Sequence, residues 1–96
     1  MAQIKTITLL AQLRALAGDK TISLTVEDGA TVRDLLRALA AAYPALGARV
    51  LDADCALRPE MQLVIDGRHV SLLPEGLDTP VAGARELMLV PPISGG

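Results

Sequence analysis

The chain has 96 residues, of which 51% are hydrophobic and 1% aromatic, and its formal net charge is −2. That length suits one domain around one core, and that apolar content excludes intrinsic disorder. The weak, scattered charge forms no basic stripe and there is no aromatic stacking platform, which argues against nucleic-acid binding. No apolar run approaches the ~20 residues of a membrane span, and no charged region precedes an apolar run as in a secretory leader. With a single cysteine, Cys55, and no internal disulfide to form, a cytoplasmic location is the default expectation.

Residues 3–10, QIKTITLL, alternate and carry β-branched side chains, so they read as a strand. Lys5, Ile7 and Leu9 share one face of it, and Thr6, Thr8 and Leu10 the other. AQLRALAGD follows as a short helix with Leu13, Leu16 and Ala17 at helical spacing and Gly18 as its stop. TISLTV (21–26) alternates more cleanly, with Ile22, Leu24 and Val26 inward, and Asp28-Gly29 turns the chain.

The principal helix starts at Thr31, where TVRD has the shape of a capping box with Asp34 three residues after the cap. Val32, Leu35, Leu36, Leu39 and Tyr43 define its buried face, and Pro44 ends it. Residues 44–60 read as a less regular connection with room for a short helical turn around Leu46, Val50 and Leu51. MQLVI (61–65), Asp66-Gly67 and RHVSLL (68–73) read as a hairpin, because Asp-Gly suits a type I′ turn. Leu77 and Val81 plug the core from a turn-rich stretch, and ELMLV (86–90) is the last strand.

Strand, strand, long helix and three further strands fit an α+β roll of the ubiquitin type, a β-grasp with a mixed sheet of about five strands covered by one helix. The last strand is expected beside the first, at the centre. The domain is expected to span residues 1–90, leaving 91–96 as an extended tail.

Few residues suggest a self-contained active site. Cys55, in DADCALRP, has no second cysteine or histidine nearby and reads as a loop residue rather than a ligand or nucleophile. His69 is the sole histidine and fits surface or interface packing better than general-base work. Glu27/Asp28 and Asp52/Asp54 read as solvated loop charges. No metal site is expected.

The tail is different. PPISGG (91–96) starts on two prolines that favour an extended, projecting chain, and ends on Gly95-Gly96, the slimmest stretch a peptide can make. A terminal α-carboxylate, ionised at neutral pH, can enter a narrow channel and be presented to another protein's chemistry. Physically this is a substrate arm.

The segments ITLLAQLRALAG, ATVRDLLRAL, IDGRHV and ELMLVPPISGG together resemble the ubiquitin-like sulfur-carrier family, whose best-known members are MoaD and ThiS, over nearly the whole chain. The PPISGG ending resembles the MoaD-like branch in particular. Two departures are the aliphatic Leu9, Leu10, Leu89 and Val90 where that branch often has phenylalanine, and the longer 43–61 segment.

The resemblance implies that the protein is no enzyme on its own and binds no cofactor. A ubiquitin-activating-like adenylyltransferase would use ATP to activate the Gly96 carboxylate, and sulfur would then replace the adenylate to give a thiocarboxylate. Gly95 would supply clearance in the enzyme's channel. Leu10, His69, Met88, Val90, Pro91, Pro92, Ile93 and Ser94 would form the partner-binding surface. The acceptor implied first is a sulfur-accepting enzyme such as the molybdopterin synthase large subunit. The alternatives are cysteine, thiamine or tRNA thiolation pathways, or conjugation of Gly96 to a target lysine as a protein modifier. No nucleic acid or membrane partner is implied.

Overall fold

The computed structural model describes residues 1–92. Five strands form one mixed sheet: β1 (Ala2–Leu9), β2 (Thr21–Glu27), β3 (Gln62–Ile65), β4 (Arg68–His69) and β5 (Leu87–Val90), in spatial order β2-β1-β5-β3-β4. Three helices complete it: α1 (Leu13–Ala17), α2 (Val32–Ala42) and α3 (Pro44–Val50). β5 runs parallel to β1 and antiparallel to β3, so the last strand lies centrally beside the first, as the element order predicts. This is the ubiquitin-like β-grasp fold.

The core lies between the inner sheet face and the helices. Ile7 and Leu9, Ile22, Leu24 and Val26, Leu63 and Ile65, and Leu87 and Leu89 come from alternate strand positions. They meet Val32, Leu35, Leu36 and Leu39 of α2, all fully buried. Thr31 caps α2 through a complete capping box: its hydroxyl oxygen accepts from the Asp34 N–H, and Asp34 Oδ2 accepts from the Thr31 N–H at 3.0 Å. That backbone N–H is the first cause holding the Asp34 carboxyl below its ordinary value.

Three local expectations are corrected. Residues 44–50 form a regular helix, α3, started by Pro44 at its first position and packed through Leu46 and Val50. A Cβ on Gly47 would stand 2.8 Å from Ala40 Cα, so the missing side chain sets how closely α3 approaches α2. The second arm of the hairpin is strand only over Arg68–His69; Val70–Leu72 form a 3-10 turn that buries Val70 in the core. Leu16 is exposed, because the five residues of α1 bury only Leu13 fully. Lys5 shares the inner face with Ile7 and Leu9, as its alternation indicates, at the point where the core gives way to loop, and its Nζ donates to the Ala82 and Ala84 carbonyls at 3.1 and 2.9 Å.

The hairpin turn itself is as its sequence indicates, with positive φ at both Asp66 (51°) and Gly67 (86°). Val81 is fully buried and Leu77 is packed against the core. Among the described residues no helix is long and apolar enough to cross a membrane.

Candidate functional site: the outer sheet face at the root of the tail

The outward residues of the central strands line up across the sheet. Thr21 lies opposite Thr8, Thr8 beside Met88, Met88 opposite Val64, and Val64 opposite His69. One step along β5, Val90 stands opposite Gln62. On β1 and β2 this face is mostly polar, with the Thr6 and Ser23 hydroxyl oxygens 3.3 Å apart and Ile4 exposed further along β1. It becomes apolar where Met88, Val90, Val64 and Leu10 gather, each half-buried.

Leu10 is held in place just beyond β1. Its N–H donates to the Leu89 carbonyl at 3.3 Å, its carbonyl accepts from the Leu13 N–H at 3.3 Å, and Arg14 Nε donates to the Leu9 carbonyl at 2.7 Å. At the following residue, Ala11, φ is 54°, and the chain turns off the sheet into α1. The patch therefore sits on hydrogen-bonded backbone, beside the end of β5 from which the tail departs.

The position of β5 is fixed from the far end by Asp66. Its Oδ1 accepts from the Glu86 N–H at 2.8 Å and the Arg85 N–H at 2.9 Å, while its own N–H donates to the Glu86 carbonyl at 2.9 Å. The Glu86 and then the Arg85 N–H hold the Asp66 carboxyl below its ordinary value. One turn residue thus sets the strand phase that sends Met88 and Val90 outward and Leu87 and Leu89 inward.

Of the residues singled out in the sequence, Leu10, Met88, Val90 and His69 share this face. Pro91 does not: it is buried, because it continues the inward phase of Leu87 and Leu89, so its ring is withdrawn from the accessible surface. Pro92 is exposed. Ile93, Ser94, Gly95 and Gly96 lie outside the described residues. Gln62 and Val64 belong to the face and were not singled out, although the alternation of MQLVI, with Met61, Leu63 and Ile65 inward, carried the signal.

The remaining candidates are accounted for by local structure. Asp52 Oδ1 accepts from the Asp54 N–H at 2.8 Å and the Ala56 N–H at 3.1 Å, building the loop that contains half-buried Cys55 at φ 58°. Asp28 pairs with the Met1 amino group at 3.3 Å. His69 lines a cleft of about 320 Å³ with Gln62 and Ser71 at the β4 edge, with no carboxylate in its lining. Among the described residues no three His, Cys, Asp or Glu side chains gather as metal ligands.

A ubiquitin-like domain with an apolar patch where its last strand ends defines a class, and comparison with known proteins gives the family. Residues 7–96 match the sequence model of the ThiS family. Small archaeal modifier protein 1 of Haloferax volcanii is 38% identical over 88 residues, covering 92% of this chain and 95% of that protein. Small archaeal modifier protein 3 of the same organism is 35% identical over 86 residues, covering 90% and 91%. The crystal structure of SAMP1 from Haloferax volcanii superposes with a TM-score of 0.82 at 35% identity, over 98% of this chain and 100% of that one. The chain belongs to the ThiS family of ubiquitin-like sulfur carriers. These similar relatives bear the name of modifier proteins rather than of a molybdopterin synthase subunit.

Proposed function

We propose that the protein is a cytoplasmic sulfur carrier whose Gly96 carboxylate is activated by a ubiquitin-activating-like adenylyltransferase and converted to a thiocarboxylate. The observation that carries this reading is the union of a family match extending through Gly96 with a hydrogen-bonded, half-buried apolar patch where β5 ends. The carboxylate oxygen attacks the α-phosphorus of ATP, pyrophosphate leaves, and an acyl-adenylate forms. A persulfide sulfur then attacks the carbonyl carbon and expels AMP; reductive cleavage of the resulting acyl disulfide by a thiol leaves the thiocarboxylate. A bare carboxylate is a poor acyl donor and the mixed anhydride is a good one, so activation is the step that needs the docked enzyme.

Leu10, Met88, Val90 and His69, with Val64 and Gln62, form the docking face in this reading. Gly95 gives the arm clearance in the enzyme's channel, and Ile93 and Ser94 lead to it. The sulfur acceptor proposed first is an enzyme such as the molybdopterin synthase large subunit. A second reading, conjugation of Gly96 to lysines of target proteins, is favoured by the names of the relatives at 38% and 35% identity. Both readings share the adenylate.

The test is mass spectrometry of the intact chain after incubation with a cognate activating enzyme, ATP and a persulfide source. One oxygen replaced by sulfur at Gly96 is expected. Deletion of Gly96, Gly95→Val, or one residue added after Gly96 should each abolish the product without affecting folding. Equal thiolation of the extended variant would overturn the reading. A tryptic remnant of residues 86–96 on lysines of other proteins in cells would establish conjugation, and its absence beside intact thiolation would remove the second reading.

A further inference from the structure

The two edges of the sheet are built differently. β4 closes one edge with two residues, opens on Arg68, and passes at once into a 3-10 turn, which leaves little to pair with. β2 forms the other edge over seven residues and, among the described residues, pairs only with β1. Its register with β1 is unbroken from Thr21 to Glu27, without a bulge, and Thr21–Val26 contains neither proline nor charge.

The bonds that bracket β2 show which backbone groups face its free side. The Lys20 carbonyl accepts from the Leu9 N–H at 2.8 Å, and the Asp28 N–H donates to the Met1 carbonyl at 2.9 Å. Alternation then directs the backbone groups of Ile22, Leu24 and Val26 toward β1, and those of Thr21, Ser23 and Thr25 outward with the Glu27 N–H. All four of these outward residues are exposed. The Glu27 carbonyl is turned to the Ala30 N–H and to Gln3 Nε2.

We propose that β2 is a self-docking edge, on which a second copy of this chain adds its own β2 antiparallel, with Thr21 opposite Glu27 and Ser23 opposite Thr25 about a two-fold axis at Leu24. This register joins outward groups to outward groups, and the two-fold axis makes the same surface serve both copies. It also places Lys20 of each copy opposite Asp28 of the other, at both ends of the strand pair. Parallel addition in register would instead set Lys20 against Lys20 and Glu27 against Glu27.

The acidic end is built to receive a lysine. A cleft of about 520 Å³ lies there between β2 and α2, with Glu27 and Asp34 in its lining beside Ala30 and Ala38. Small side chains leave room for an aliphatic stem, and Asp28 remains exposed beside it despite its contact with Met1. An extended segment of another protein would satisfy the backbone as well, but nothing would match the Lys20–Asp28 pairing. This inference does not depend on the fate of Gly96.

Sedimentation equilibrium of the full chain at low salt is expected to show a dimer that weakens as salt rises. Lys20→Glu and Asp28→Lys should each weaken it by about tenfold, and the double exchange should restore it. Ser23→Pro removes an outward N–H while sparing every backbone bond to β1, losing there only the hydroxyl contact with Thr6, and should abolish the dimer with cooperative thermal unfolding preserved. Amide exchange should slow with concentration at Ser23 and Thr25, but not at Leu24, whose N–H already faces β1. A chain that stays monomeric up to about 1 mM, or a dimer that leaves the Ser23 and Thr25 amides unprotected, overturns the proposal. Failure of the double exchange to restore association overturns it too.

Discussion

β5 serves two surfaces with alternate residues. Leu87 and Leu89 are inside, 2% and 0% exposed, against the helices, while Met88 and Val90 stand half-buried on the open face beside Leu10 and Val64. All four are apolar, so hydrophobicity alone does not separate the ones that hold the fold from the ones left available for contact. Strand phase does, and phase is fixed by what pins the strand. The difference teaches that an apolar residue on a β-grasp sheet acquires its role from register, which a one-residue slip would reverse.

The contrast breaks most severely from the inside. Leu89→Ala leaves a cavity between sheet and helices and should cost about 2–5 kcal/mol, read as a lower urea midpoint with an unchanged slope. Cover for the inner face depends on close helix packing. Gly47→Ala pushes a methyl against the Ala40 backbone and should cost about 1–3 kcal/mol, measured by thermal unfolding.

The third prediction concerns the pin itself. Because the folded-state value of the Asp66 carboxyl is lowered, its contribution is present above its ordinary value of 3.8 and is lost as pH falls through the folded value. Asp66→Asn tolerates the left-handed turn conformation but removes the titration, so acid unfolding below about pH 4 should become less steep in pH than in the wild type. An identical acid profile would show that Asp66 does not anchor β5.

From the outside the same strand should be nearly silent. Val90→Asp is expected to change stability by no more than about 1 kcal/mol while weakening binding to the activating enzyme, checked by unfolding and by calorimetric titration. Cooperative unfolding lost in that variant would place Val90 in the core. Cys55 lies on neither face, and Cys55→Ser should shift stability by less than about 0.5 kcal/mol and leave thiolation unchanged.

Much of this was legible in the sequence. Ile22, Leu24 and Val26 alternate, Thr31 and Asp34 are spaced as a capping box, and Asp66-Gly67 marks its turn, since each signal is local. The element order was enough to place β5 beside β1. What was not legible depends on competition between distant segments. RHVSLL alternates well enough for a strand, but the core takes Val70 and bends the chain into a 3-10 turn. PALGARV hid its helix behind Gly47, whose value lies in its contact with Ala40 of α2. In the site, the phase of Met88 and Val90 was readable from ELMLV. The burial of Pro91 needed the same phase carried one step past the strand, and Gln62 and Val64 needed the partner strand.

The central place of β5 has a consequence for synthesis. Of the five strands it leaves the ribosome last, yet it joins β1 to β3, so until it emerges the sheet is two separate halves, β2-β1 and β3-β4, with no strand between them. Folding must bring Ile7, Thr8 and Leu9 against Leu87, Met88 and Leu89 across almost the whole length of the chain, a distant pairing of the kind that slows folding. The patch at the end of β5 comes into being in that same event. A nascent or truncated chain without β5 therefore lacks the patch altogether, and under the proposed function it would be no substrate for an activating enzyme until the fold is complete.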